Sequence, residues 1–336
     1  MTDLWAPNVY LAHSPRPSSR YTAAMIARPT RNDWLALGVL ALMWGTSYAF
    51  IKLGVQSGGL PTFTLIASRL FIGFVFLASV VAIAREPLPR SPRIYMHLVV
   101  MAIINIVIPF YLITTAERSV TSAIAAIING AVPLIVILLA ALVLHDEPIT
   151  LGRLIGLLVG YAGVIVIVSP GFASSTGSQV SGELALVGST IAYGIGAVYT
   201  RRNMRGLRPM IPAMFQVGFA FLIVGALALV TEHPFAVSWN GDALLAVSWL
   251  GIFGSGAAYL LNFRLLSRIG ATRTSILAYF LPIIGIVSGA LMFQEQIDPI
   301  VLAGTALVLG GIALVNGRFL QRQLYGRRAP ETSASS

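Results

Sequence analysis

Arg69 is the residue whose type and place point most directly to chemistry. It stands in the apolar run Ile66-Ala67-Ser68-Arg69-Leu70-Phe71, eight positions past Pro61, which is about 12 Å along a helix at 1.5 Å per residue. A cation at that depth in hydrocarbon costs roughly 2.5–3.5 kcal/mol, so it is expected to face the interior of a helix bundle. Two roles fit. It is either a cavity cation that draws in a carboxylate or other anionic group, or a structural arginine bonded to carbonyls or a polar neighbour.

Aromatic and amide side chains fall at similar depth in other apolar runs. These are Trp44, Tyr48, Asn105, Tyr111 and Asn129, then Tyr193, Tyr199, Gln216, Tyr259, Asn262 and Tyr279. An amide in lipid needs a partner, so such residues are expected to turn inward. As a group they are candidates for the lining of a substrate cavity; singly, each fits an interhelical hydrogen bond or an interfacial belt better. Pro109, Pro133 and Pro282 each remove a backbone hydrogen bond inside an apolar run and are candidate kinks or hinges. Gly156-x-x-x-Gly160 and Gly285-x-x-x-Gly289 permit close helix approach, within one protomer or between two. Gly251, Gly254 and Gly256 suggest another close contact or a flexible point. Glu147 and Glu295 sit near the starts of helical runs, where the helix dipole favours a carboxylate; caps, anchors or gating groups all fit. Glu117, beside Arg118, reads as a solvated end charge or a proton acceptor.

Several chemistries find no support. The chain has no Cys, hence no thiolate ligand or nucleophile. His13, His97, His145 and His233 have no metal-binding spacing, so no metal and no cofactor are expected. No phosphate-binding Gly-x4-Gly-Lys-Ser/Thr loop exists, and the only lysine is Lys52.

The elements that must position these residues are apolar. Of 336 residues 57% are hydrophobic and 10% charged, against about 25% charged in soluble domains, and the mean hydropathy is +0.83. Such a chain is an integral membrane protein. Ten runs are long enough to cross a bilayer, spanning about Asp33–Val55, Pro61–Ala84, Tyr95–Ala116, Ser119–Leu144, Thr150–Ser169, Gly182–Arg201, Pro209–Val230, Asp242–Leu265, Ala271–Phe293 and Pro299–Asn316. With the amino terminus cytoplasmic, 19 of the 22 Lys and Arg fall on the inner side. Outside are Lys52 and Arg118, and Arg69 lies within a span. That alternation obeys the positive-inside rule and puts both termini in the cytoplasm. The net charge of +10 is thus a topology signal rather than a nucleic-acid footprint. Residues 1–32 read as a disordered tail, with Met25 an alternative start, and 318–336 as a basic cytoplasmic tail.

The two halves resemble each other at an offset near 149. Trp44-Gly45 matches Tyr193-Gly194, Pro133 matches Pro282, Glu147 matches Glu295, and Gly156 and Gly163 match Gly304 and Gly311. Five spans per half make the second copy enter from the opposite face, the inverted repeat of many secondary transporters. The counterpart of Arg69 is Val217, beside Gln216, so the charge is not duplicated.

The sequence resembles the EamA family of the drug/metabolite transporter superfamily from about Asp33 to Asn316. The resemblance is carried by Leu42-Met43-Trp44-Gly45-Thr46-Ser47-Tyr48, Arg69, Pro133, Glu147, Gly156 and Gly163, and by their echo Gly270-Ala271-Thr272, Pro282, Glu295, Gly304 and Gly311. It implies an all-α fold of ten transmembrane helices, two inverted five-helix repeats (33–169 and 183–317, joined by an external linker at 170–182) around a central cavity. It also implies alternating-access uptake or efflux of a small metabolite, often an amino acid or related compound; export across a bacterial inner membrane is the direction favoured here. An integral membrane enzyme, a channel and a non-transporting sensor are the other readings. Monomer and homodimer are both open.

Overall fold

The structure, a computed structural model, describes residues 29–143, 151–173, 177–204 and 207–324. Met25, His13, His145 and Glu147 lie outside them. A chain this apolar in lipid has to satisfy every backbone N–H and C=O internally, and the described residues answer with helix after helix. They are α1 (Arg31–Ser57), α2 (Thr62–Ile83), α3 (Pro92–Ala116), α4 (Ser122–Val143), α5 (Leu151–Ser169), α6 (Gly177–Asn203), α7 (Met210–Thr231), α8 (Gly241–Ile269), α9 (Leu277–Phe293) and α10 (Pro299–Val315). The first eight are long and apolar enough to cross a membrane; α9 and α10 are shorter apolar helices. Helix α6 begins at Gly177, inside the stretch read as a linker. The last helix runs on to Leu324.

Among the described residues three stretches are π-helical: Leu53–Ser57 at the end of α1, Ile103–Val107 in α3 and Leu250–Ala257 in α8. The last two occupy the third helix of each half at matching positions. Pro109 follows the π turn of α3 directly; the widened turn accommodates a ring that clashes with a regular α-helix. Helix α4 breaks at Ala131, and Pro133 falls in the first turn beyond the break, where its missing N–H costs little. Pro282 is interior to α9, and its ring closes on Gly130, where an added Cβ would lie 3.0 Å from Pro282 Cγ.

Helix pairings repeat between the halves. α2 packs on α7, α4 on α9 and α5 on α10; α1–α9 is echoed by α4–α6, α1–α8 by α3–α6, and α2–α8 by α3–α7. The α5–α10 seam is reciprocal. A Cβ on Gly156 would meet the Gly311 carbonyl at 2.8 Å, and one on Gly163 would meet the Gly304 carbonyl at 2.7 Å. These glycines, like Gly285 against Ala126, serve packing within one chain.

Cross-links sort the connections into two ends. At one, Lys52 pairs with Glu295, Gln56 donates to the Glu117 carbonyl, Arg118 to the Leu60 carbonyl and Asn240 to the Ser57 carbonyl. At the other, Arg268 pairs with Asp33 and Arg208 with Glu86. The Lys52 end carries two long-range caps. Glu232 accepts from the backbone N–H groups of Phe63 and Thr64 at the start of α2, and Glu295 from those of Ser122 and Ala123 at the start of α4. A carboxylate on a helix N-terminus contributes about 0.3–1 kcal/mol.

Candidate functional site

Arg69 is 3% exposed, carried into the bundle by the buried face of α2. Its Nε donates to Ser255 Oγ at 3.2 Å. Its guanidinium carbon stands 4.2 Å from the centroid of the Phe110 ring, a cation–π contact in the buried core. Both partners depend on π turns: Phe110 follows the one in α3, and Ser255 lies within the one in α8. Glycines bring α8 this close. A Cβ on Gly251 would lie 3.1 Å from the Arg69 carbonyl, and one on Gly254 would lie 3.2 Å from the guanidinium and 3.1 Å from Ser47 Oγ. The glycine cluster read as a close contact or a flexible point is thus a close contact.

Aromatic hydroxyls and an indole complete the group. Tyr48, Tyr193 and Tyr259 lie within electrostatic reach of the guanidinium. Trp44 packs edge-on against Tyr259 at 5.9 Å and donates its indole N–H to the Gly254 carbonyl at 3.2 Å. Five of the expected cavity residues therefore converge from α1, α2, α6 and α8: Trp44, Tyr48, Arg69, Tyr193 and Tyr259. Among the described residues, no carboxylate pairs with Arg69. A guanidinium presents five donors, so the arrangement can hold an anionic group against a wall of rings and hydroxyls.

The other candidates lie elsewhere. Asn105, in the π turn of α3, presses on Gly196 of α6. Asn129 donates to the Ala125 carbonyl and accepts from Ser189 Oγ at 2.9 Å, an interhelical bond between α4 and α6. Tyr199 meets His97 Nδ1 at 2.6 Å. Tyr279 packs against the main core, and Asn262 is half-buried on α8. Tyr111 stacks on Phe63 at 5.2 Å. Gln216 is 1% exposed on α7, with its Oε1 unpartnered among the described residues. Phe110, Ser255 and Ser47 were not singled out. The only signals were the neighbouring Pro109, the glycines around Ser255, and the run containing Trp44.

The Lys52 end corrects two expectations. Glu117 is not a solvated end charge: it is fully buried, its Oε2 accepting from Ser122 Oγ at 3.3 Å and its Oε1 without a partner among the described residues. Glu295 caps a helix, as its position suggested, but the helix is α4 rather than its own α10.

A cleft of about 170 Å³ opens at this end between Thr121, Ile124, Gln179 and Gln296, and an apolar one of about 420 Å³ lies along Tyr161, Val168 and Leu184. Arg69 lines neither.

The model of the EamA-like transporter family matches residues 33–169 and again 180–317. Relatives include a Bacillus subtilis (strain 168) protein named uncharacterized transporter YvbV, 25% identical over 86% of this chain and 92% of its own. Another, from Escherichia coli K12, is named uncharacterized inner membrane transporter YedA and is 26% identical over 85% of this chain and 91% of its own. A solved crystal structure superposes at a TM-score of 0.63 with 21% identity, covering 88% of this chain and 99% of its own; at that identity it speaks to the fold alone. With two matches of the family model spanning most of the sequence, and a multi-pass helical bundle to carry them, this chain belongs to the EamA-like family of drug/metabolite-type membrane transporters.

Proposed function

We propose that this protein is a secondary transporter that moves a small metabolite bearing an anionic group by alternating access, with Arg69 as the cation that receives that group. The carrying observation is the guanidinium itself, buried at the meeting of α1, α2 and α8 with a ring and a serine for company and no acid among the described residues. Burying an uncompensated cation is expensive, and a protein keeps such a group where a ligand of opposite charge completes it. Tyr48, Tyr193, Tyr259 and Trp44 form the rest of the lining, and amino acids or related carboxylates are the favoured substrates, with export the favoured direction.

The same reading takes all ten helices as crossings, in two inverted repeats over 33–169 and 183–317, with both termini cytoplasmic. The repeated helix pairings and the reciprocal contact of Gly156 with Gly311 and Gly163 with Gly304 support it: two units related by a two-fold axis touch in this reciprocal manner. The site closes to solvent at Arg69, as an occluded step of such a cycle requires. Pro282 and the break before Pro133 meet at Gly130 and serve as the hinge.

The test begins with a metabolite screen comparing a deletion strain with an overexpressing strain, followed by counterflow of the best candidate in proteoliposomes. Arg69→Ala is expected to abolish counterflow while reaching the membrane at the wild-type level, and Arg69→Lys to retain part of it. Wild-type counterflow by Arg69→Ala rules out the cation as the substrate anchor.

A further inference from the structure

The second buried charge cluster lies at the Lys52 end, away from Arg69. Four groups meet there from three parts of the chain. Lys52, at the end of α1, gives its ammonium to Glu295 Oε1 at 2.5 Å and lies over the Phe293 ring at 5.2 Å. Glu295, in the α9–α10 connection, also receives the backbone N–H groups of Ser122 and Ala123 at 3.0 and 3.3 Å. Its carboxylate is therefore fully engaged. Ser122 then bridges to Glu117 through its hydroxyl, at 3.3 Å.

The charges do not balance. Two carboxylates share one ammonium, and that ammonium is committed to Glu295. Among the described residues, Glu117 is left fully buried with a single side-chain hydrogen bond, and its Oε1 meets no partner. Among the described residues, the other charged and titratable groups give it no hydrogen bond. Tyr48 faces it from α1. The neighbouring Arg118 turns its guanidinium to the Leu60 carbonyl. Glu183, at the same end of α6, takes its hydrogen bond from Gln179. An ionised carboxylate buried on these terms is costly; a protonated one is not.

We propose that Glu117 is a proton-binding site that works the seal at this end of the transporter: its Oε1 takes a proton from external water as Lys52, Ser122 and Glu295 close over it, and returns the proton to external water when they part. External acid thereby favours the sealed state. The inference rests on the alternating-access reading, because it needs a conformation in which this end opens. Burial pushes the Glu117 carboxyl well above the usual carboxylate range, with Lys52 opposing and Glu295 adding to the shift.

The natural chain has no cysteine, so nitroxide labels go cleanly onto Ser57→Cys and Gln296→Cys, both exposed and on the two sides of the seal. Distances between them are measured by pulsed spin resonance in lipid nanodiscs from pH 8 to pH 5. Wild type is expected to show a short and a long population, the short one gaining as pH falls. Where only the sealed state binds the proton, the ratio changes by up to about tenfold per pH unit. Glu117→Gln, a permanent stand-in for the protonated acid, is expected to hold the short population at every pH. Glu295→Gln, which breaks the lock but leaves Glu117 in place, is expected to shift the balance to the long one. Two populations whose ratio ignores pH, or a pH response that survives in Glu117→Gln, overturn the role of Glu117 and leave the transport reading standing. A single population under all conditions overturns both.

Discussion

The guanidinium of Arg69 and the ring of Phe110, from α2 and α3, stand 4.2 Å apart in the core of the bundle. With no acid to pair with among the described residues, the cation finds its negative charge in the face of a ring. Desolvated cation–π contacts contribute up to about 2 kcal/mol. Phe110→Leu, which keeps the apolar bulk and loses the ring, is expected to lower the stability of the purified protein by about 1–2 kcal/mol, and Phe110→Tyr by much less. Thermal unfolding in detergent measures both. If Phe110→Leu unfolds at the wild-type temperature, the ring is not what steadies the cation.

Arg69 was legible in the sequence because a charge inside an apolar run has few explanations. Phe110 was not, because a phenylalanine among isoleucines and leucines carries no mark, and its aim depends on a π turn that periodicity does not reveal. Ser255 was half-legible: Gly251, Gly254 and Gly256 announced a close approach without saying to what. The helical runs themselves followed from hydropathy, most of them to within a few residues. Glu117 was misleading. At the end of an apolar run, next to Arg118, it has every sign of a solvated charge, and only the arrival of Lys52 and Ser122 with Glu295 buries it. Glu295 carried the right chemistry to the wrong helix, since a cap supplied across the bundle leaves no local spacing to read.

Two adjacent glycines of α10 separate packing from propensity. A Cβ on Gly311 would lie 2.5 Å from the Gly160 backbone and 2.6 Å from the Gly156 carbonyl, whereas one on Gly310 meets nothing within 4 Å. Backbone cannot rotate aside, so Gly311→Ala must spread α5 from α10. Overpacking costs about 1–3 kcal/mol. Gly310→Ala gains instead the helix preference of alanine, up to about 1 kcal/mol. The two variants are expected to move the unfolding temperature in opposite directions, and equal shifts count against the close α5–α10 seam.

The buried acid at the Lys52 end has a signature in stability as well as in conformation. A carboxyl held above its usual range in the fold lends stability that is complete below the ordinary carboxylate value and drains away as pH rises through the raised one. Glu117→Gln never ionises and escapes that loss. The variant and wild type are expected to unfold together near pH 4, with the variant increasingly the more stable towards pH 8. The check is a series of unfolding temperatures across that range. A constant difference, or one that grows on the acid side, means that Glu117 is ionised in the fold.

Helix α9 has 17 residues, about 26 Å at 1.5 Å per residue, which is short for a hydrocarbon core of about 30 Å. Length alone leaves open whether it crosses. On the proposed ten-crossing reading, its ends speak for a crossing. The preceding helix α8 finishes beside Asp33, where Arg268 pairs with the start of α1, while the connection following α9 is fixed by Glu295 to Lys52 at the far end of α1. On that reading a helix tied to both ends of α1 crosses with it, and mismatch of a few ångströms is absorbed by local thinning of the bilayer. A cysteine at Gln296 is therefore expected to react with a membrane-impermeant maleimide added from outside intact cells, and a reporter fused after residue 336 to read as cytoplasmic. Labelling of that cysteine only after the cells are opened places the α9–α10 connection inside and removes two crossings.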